Sequence, residues 1–98
     1  MMKRDQVMSM LRRALPELRL NHHVRSLSLI GSVARDEARA DSDVDVLVEF
    51  DQPVGLFAFV ALQNELAKLL GVKVDLVTRD AIRPEWRNQI LAEAVRAA

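Results

Sequence analysis

The amino-acid sequence predicts a small α/β domain in which a mixed sheet of three or more strands packs on helices. Helical and strand patterns alternate along the chain in the order α-β-α-β-α-β-α, which is typical of this fold class. The connections agree with a mixed sheet, because a short segment joins the first two strands and a full helix joins the next two. The chain has 98 residues, half of them hydrophobic and four of them aromatic, so one domain with an aliphatic core is expected over residues 1–98.

The first two elements are an amphipathic helix and a strand. Asp5 to Leu15 places apolar side chains at the spacing of one helix face. Pro16 is expected to end or kink this helix, and Leu20 to His23 is expected to form the connection. Val24 to Ile30 alternates partly between apolar and polar residues and predicts the first strand.

A short helical turn and a second strand follow. Ser32 to Ala38 is predicted to form the turn, and Arg39 to Ser42 a polar loop. Val44 to Phe50 is a valine-rich apolar run, which predicts a strand.

The last part of the chain predicts a long helix, a third strand and a final helix. Leu56 to Leu70 is the long helix, and Gly71 stands where a left-handed C-terminal cap belongs. Val72 to Val77 is the third strand. Pro84 suits the first position of a last helix that continues over Glu85 to Ala97.

The connection lengths predict how the strands pair. The first two strands are expected to be antiparallel neighbours, with Gly31 at the end of one beside Asp43 at the start of the other. The helix between the second and third strands suits a right-handed parallel crossover. Asp75 would then join Asp43 and Asp45 at one end of one sheet.

Composition narrows the classes of function. Lys plus Arg equals Asp plus Glu, at 14 each, which argues against a broad surface for nucleic acid. The chain has no cysteine, so disulfides and thiolate metal sites are excluded and a cytoplasmic location is expected. The first residues lack the continuous apolar core of a signal peptide, and no apolar run approaches the roughly 20 residues of a membrane span.

The most informative motif is Gly31-Ser32, ten further residues, and then Asp43-Val44-Asp45. Side chains two apart on a strand share a face, with Cα atoms roughly 6–7 Å apart. Two carboxylates this close repel each other unless a cation lies between them, and Mg²⁺ typically takes one or two carboxylates together with substrate phosphates. A glycine followed by free helical N–H groups suits a phosphate. The motif therefore predicts a nucleotide-handling site.

This motif resembles the signature of the polymerase-β-like nucleotidyltransferase superfamily and, within it, the minimal nucleotidyltransferases (MNT). The resemblance covers most of the chain. It extends to Ala34-Arg35, to Ser42, and to the strand that carries Asp75. The chain departs from the pattern at Asp36, where many members carry glycine. We expect Asp36 to lie in the first turn of a helix, where an acidic side chain suits the helix dipole.

The resemblance implies an activity and a partner. Similar proteins use Mg²⁺ to transfer a nucleoside monophosphate from an NTP, such as AMP from ATP, to an acceptor hydroxyl. Minimal members are commonly the antitoxins of helical HEPN toxins and are thought to modify a toxin tyrosine. A homo-oligomer is also possible.

The resemblance also implies roles for individual residues. Gly31 and Ser32 would bind the triphosphate, with Arg35 and Ser42 as further nucleotide-binding candidates; Arg35 could instead touch the toxin. Asp43 and Asp45 would bind two Mg²⁺ ions. Asp75 would bind the catalytic ion and help to activate the acceptor.

Less specific interpretations remain open at this point. Asp75 could simply pair with Lys73 or Arg79. Trp86 is expected to be a packing anchor rather than a nucleotide stacker. The apolar start of the long helix, including Phe57, is expected mainly to pack in the core, with a partner or dimer surface as the alternative. The chain could neutralise a partner by occupancy alone, with an inactive site, or it could transfer a nucleotide to an RNA end.

Overall fold

The computed structural model describes residues 3–39 and 43–97, and it confirms the mixed α/β fold. In chain order the elements are α1 (Arg4–His22), β1 (Val24–Ile30), α2 (Gly31–Ala34), β2 (Val44–Phe50), α3 (Leu56–Leu70), β3 (Val74–Val77), a 3₁₀ turn (Arg79–Ala81), α4 (Pro84–Glu93) and β4 (Val95–Arg96). The bounds of β1, β2 and α3 are those predicted. Most of the predicted polar loop, including Ser42, lies outside the described residues.

The four strands form one sheet in the order β3-β2-β1-β4. β1 and β2 are antiparallel, and β2 and β3 are parallel across the α3 crossover, as the connection lengths predict. β3 lies at one edge, where its Leu76 N–H donates to Oε1 of Gln63 on α3 at 3.0 Å. The sheet is therefore mixed, and the two strands that carry the acidic residues are neighbours.

α1 does not end at Pro16, as one of the two predicted outcomes had it. The helix continues through this residue to His22. Pro16 is exposed, whereas Leu15 and Leu18 on either side of it are buried in the core. Burial of the apolar face on both sides outweighs the cost of about 3 kcal/mol for an interior proline. His23, in the left-handed region at φ 57°, ends the helix instead, so Leu20 to His22 are helical rather than a connection.

The last helix also differs from the prediction, since α4 ends at Glu93 and Val95–Arg96 form β4. This short strand pairs with β1, and the backbone N–H of the buried Ala97 donates to Leu27 O at 2.8 Å. Arg12 Nε donates to Ala97 O at 2.7 Å. Cross-strand hydrogen bonds and the burial of Ala97 favour extended backbone here over continued helix. β3 begins at Val74, two residues later than predicted.

The two faces of the sheet are covered differently. One face meets α1 and α3 in the main core, to which the alternate residues Val44, Val46 and Val48 of β2 contribute. The other face carries a smaller apolar cluster, which α4 covers; its buried members are Ile30, Leu47 and Ile82. Because side chains alternate along a strand, Asp45 and Asp75 lie on this second face.

Several apolar side chains are more exposed than the sequence suggests. Phe57 at the start of α3 is 92% exposed and Trp86 in the first turn of α4 is 54% exposed. Core packing was therefore the wrong expectation for Phe57, whereas Trp86 is covered over nearly half of its surface. Gly71 caps α3 in the left-handed region, at φ 71°, as predicted. Over residues 3–39 and 43–97, the structure contains no helix that is long and apolar enough to span a membrane.

Candidate active site

The acidic residues meet at the start of β2 and β3. Asp45 and Asp75 are register partners on these parallel strands, and adjacent strands lie roughly 4.8 Å apart. Asp43 precedes Asp45 by two residues, immediately before β2 begins. Asp45 is half-buried, whereas Asp75 is exposed. The structure thus places the three acidic residues that the sequence singles out at one end of the sheet, where the charges of Asp43 and Asp75 act on Asp45.

Gly31 lies beside this acidic group for a specific steric reason. It follows Ile30, the register partner of Asp45, and it has a φ of +71°, in the region that favours glycine. A methyl group at this position would collide with the Asp45 carboxylate. Gly31 therefore approaches Asp45 rather than Asp43, the residue expected from the sequence.

A short helical turn begins at Gly31 and packs against the sheet through its buried residues Val33 and Ala34. The N–H of Arg35 donates to Gly31 O at 3.2 Å, and that of Glu37 to Ser32 O at 2.8 Å. Asp36 follows the end of α2 in the left-handed region, at φ 60°, so its expected place in a first helical turn was wrong. Asparagine and aspartate tolerate this conformation, but only glycine adopts it without strain.

The electrostatics of the site are dominated by negative charge. Burial raises the pKa of Asp45, and the charges of Asp75 and Asp43 raise it further, while the positive charge of Arg35 opposes them. Arg35 in turn has a raised pKa because its guanidinium donates hydrogen bonds to Glu37 and Glu93. A cation at the acidic group would relieve the repulsion that acts on Asp45.

The nearby cations do not pair with Asp75. Lys73 Nζ lies 3.7 Å from Asp43 Oδ2, and Arg79 Nη2 lies 3.2 Å from Glu49 Oε1. In the part of the chain that the structure describes, neither cation forms the ion pair with Asp75 that would give this residue a purely structural role.

The carboxylates suit a magnesium ion that is completed by substrate. Among the described residues, no three acidic or histidine side chains converge closely enough to hold an ion by themselves. Mg²⁺ is commonly bound by one or two carboxylates plus substrate phosphates and water. Asp45, with Asp75 opposite and Asp43 two residues before it, fits this mode, because the negative charges of Asp75 and Asp43 act on Asp45 and a cation would offset them.

Two further residues lie close to this group. Ser32 directly follows Gly31 and is half-buried in α2. Glu93, which contacts Arg35, was missed. The sequence carries no signal for this contact, because the last helix is predicted to continue to Ala97 and the two residues lie 58 positions apart.

Comparisons with known proteins agree with this geometry. Residues 8–97 match the family described as a nucleotidyltransferase domain. Protein adenylyltransferase MntA of Thermococcus cleftensis is 37% identical over 95 residues, which cover 97% of this chain and 96% of the relative.

Solved structures show the same fold. A minimal nucleotidyltransferase superimposes with a TM-score of 0.80 and 38% identity, covering 96% of this chain and 95% of that one. A chain of the complex between the tri-AMPylated Shewanella oneidensis HEPN toxin and its MNT antitoxin has a TM-score of 0.65 at 18% identity, covering 93% of this chain and 71% of that one. The second likeness shows the fold alone.

Proposed function

Because this chain belongs to the nucleotidyltransferase domain family, we propose that it is a protein adenylyltransferase that transfers AMP from ATP to a hydroxyl group of a partner protein. The observation that carries the proposal is the placement of Asp45 directly opposite Asp75, with Gly31 packed against the Asp45 carboxylate. The name of MntA, the relative from Thermococcus cleftensis, supports protein as the acceptor.

The proposed reaction is an in-line displacement at the α-phosphorus of ATP. The acceptor oxygen forms a bond to this phosphorus while the bond to the oxygen bridging toward the β-phosphorus breaks, and pyrophosphate leaves. Asp75, exposed and without an ion-pair partner in the described part of the chain, receives the proton of the acceptor hydroxyl. Gly31 and Ser32 bind the triphosphate at the start of α2.

Asp43 and Asp45 are the residues proposed to hold Mg²⁺, with Asp75 contributing on the acceptor side. Bound Mg²⁺ supplies charge neutralisation at the phosphates and favours ionisation of the acceptor hydroxyl. Arg35 adds positive charge at the same end of the sheet, where it already acts on Asp45. Ser42 remains a nucleotide-binding candidate from the sequence.

We propose a helical toxin of the HEPN type as the partner, which makes this chain an antitoxin. The support is the family resemblance together with the AMPylated HEPN toxin described for the structural relative from Shewanella oneidensis. The net charge of zero favours a protein acceptor over an extended nucleic-acid acceptor.

The test is transfer of label to the protein encoded beside this chain's gene. Incubation with Mg²⁺ and ATP labelled at the α-phosphate is expected to label the partner, whereas ATP labelled at the γ-phosphate is not. The double variant Asp43→Asn/Asp45→Asn is expected to lose transfer. Glu65→Gln, an exposed site on α3 at the other face of the sheet, removes one acidic charge and serves as the matched control.

Three outcomes would contradict the proposal. Retained transfer in the double Asn variant would exclude the assigned site. Neutralisation of the partner without any transfer would favour binding by occupancy alone. Label on RNA rather than on protein would identify an RNA end as the acceptor.

A further inference from the structure

Arg35 is held by two carboxylates from different parts of the fold. Its Nε donates to Glu37 Oε2 and its Nη1 donates to Glu93 Oε2, both at 3.2 Å. Glu37 is two residues away on the same loop, so this contact alone leaves the arginine free to move with the loop. Glu93 ends α4, and its contact therefore ties the guanidinium to a separate element.

The pairing of β1 with β4 brings Glu93 to this location. Val95 is the register partner of Leu29, and Gly31 follows Leu29 by two residues while Glu93 precedes Val95 by two. Because the strands are antiparallel, Glu93 lies at the same end of the sheet as Gly31. The carboxylate of Glu93 thus reaches Arg35 directly beside the predicted phosphate-binding segment.

The position of Glu93 is unfavourable for the helix that carries it. A carboxylate in the last turn of a helix opposes the helix dipole, where a cation would be stabilising. The Glu93 carboxylate pairs with the guanidinium of Arg35, which lies outside α4. This ion pair offsets the unfavourable interaction of Glu93 with the helix dipole.

Arg35 keeps donors available for a ligand. In the described residues its Nη2 donates no hydrogen bond, and the side chain is 42% exposed. A guanidinium fork suits phosphate oxygens. Arg35 also lies near enough to Asp45 for its charge to act on that carboxylate, so the unused donors lie near the end of the site where the phosphates are proposed to bind.

We propose that Glu93 is a positioning residue for the nucleotide: it holds the guanidinium of Arg35 toward the phosphates of ATP. This inference rests on the proposed function, which supplies ATP as the ligand. Glu93 itself does not contact the nucleotide; its effect on binding passes through Arg35.

The test is the affinity for ATP in the presence of Mg²⁺, measured by titration calorimetry on the full chain. Glu93→Gln is expected to weaken binding about 3- to 10-fold, and Arg35→Ala at least as much. In the Arg35→Ala background, the added Glu93→Gln substitution is expected to change the affinity less than about 1.5-fold, because the two residues act as one unit. Glu85→Gln, at the other end of α4, is the matched control and is expected to bind ATP like the unsubstituted chain.

Kinetics and stability separate positioning from a general structural role. Glu93→Gln is expected to raise the KM for ATP with kcat changed less than about twofold, as expected when an interaction is equal in the ground and transition states. Glu93→Asp, which retains the charge, is expected to recover part of the affinity. All titrations are made below the thermal transition of the least stable variant.

Two results of these titrations would contradict the positioning role of Glu93. Unchanged ATP affinity in Glu93→Gln, or an equal further loss in the Arg35→Ala background, would overturn the inference. If the unsubstituted chain binds ATP but transfers no AMP, the proposed function fails while this binding test still applies. If that chain does not bind ATP at all, both are overturned.

Discussion

Replacing Asp45 with asparagine is expected to stabilise the protein in the absence of metal and to abolish AMP transfer. Asp45 is half-buried, opposite Asp75 on the neighbouring strand and two residues from Asp43. Asparagine has nearly the same shape and removes the repelled charge. The same substitution removes a ligand that we assign to Mg²⁺, so the effects on stability and on activity have opposite signs.

The expected gain in stability follows from the neighbours of Asp45. Like charges directly opposite on adjacent strands destabilise by a few tenths to about 1 kcal/mol. Asp43 adds to this cost, whereas the positive charge of Arg35 and solvent screening at a half-buried site reduce it. We expect a net gain of about 0.5–1 kcal/mol at neutral pH, a shift of roughly 2–8 °C in Tm for a domain of this size.

The dependence on pH provides a sharper signature. Burial, Asp75 and Asp43 raise the pKa of Asp45 above its value in the unfolded chain, so the folded state binds this proton more tightly. The folded protein therefore gains stability from Asp45 as the pH falls from neutrality through the raised pKa. The difference between Asp45→Asn and the unsubstituted chain is expected to be largest near neutral pH and to vanish once aspartate is protonated in both states.

The assay is urea unfolding with EDTA across a pH series, with transfer of labelled AMP measured separately with Mg²⁺. Glu65→Gln provides the control for a change of one charge. Equal or lower stability of Asp45→Asn at neutral pH, or a difference that does not shrink with falling pH, would refute the electrostatic reasoning. Transfer above about 1% of the unsubstituted chain would refute the assignment of Asp45 to the site.

Three further predictions concern glycine, a left-handed turn and the core. Gly31→Ala is expected to lower transfer more than about 10-fold and to destabilise by about 1–2 kcal/mol, because the added methyl displaces the Asp45 carboxylate and the positive φ becomes strained; normal transfer would contradict this. Asp36→Gly is expected to raise the free energy of unfolding by about 0.5 kcal/mol, since φ is 60° there, and a loss of stability in the same urea assay would exclude the explanation. Leu66 on α3 is fully buried, and Leu66→Ala is expected to lower the free energy of unfolding by about 2–5 kcal/mol. Leu20 is 80% exposed, and Leu20→Ala is expected to lower it by less than about 0.5 kcal/mol. Similar losses in both variants would contradict the assigned core.

The parts of the fold that could be predicted from sequence are those with strong local patterns. β2 is a valine-rich, largely apolar run, and α3 is a periodic segment that ends at Leu70 before its cap Gly71, so their bounds agree with the prediction. The effect of Pro16 could not be predicted, because the buried contacts of Leu15 and Leu18 that keep the helix intact are tertiary and leave no local pattern. β4 could not be found, because two residues carry no periodicity and their strand conformation depends on pairing with β1.

The residues of the candidate site likewise fall into those that local sequence patterns predict and those that depend on tertiary contacts. Gly31, Asp43 and Asp45 belong to one contiguous motif, and Asp75 could be added from the parallel crossover. Glu93 could not be linked to Arg35, because their contact spans 58 positions of sequence and depends on where α4 ends. The left-handed conformation of Asp36 was likewise invisible without the backbone geometry, although the residue itself stood out as a departure from the family pattern.

The hydrogen bond from Leu76 to Gln63 has a consequence for how this protein can associate. An exposed edge strand normally offers its amides to a further strand, which is a route both to partner binding and to aggregation. The side chain of Gln63 already accepts a hydrogen bond from one backbone amide of β3. This amide is therefore not available to pair with an added strand. We therefore expect partners to bind through side-chain surfaces rather than by adding a strand to β3. Gln63→Ala frees the Leu76 amide and is expected to cause self-association at high protein concentration.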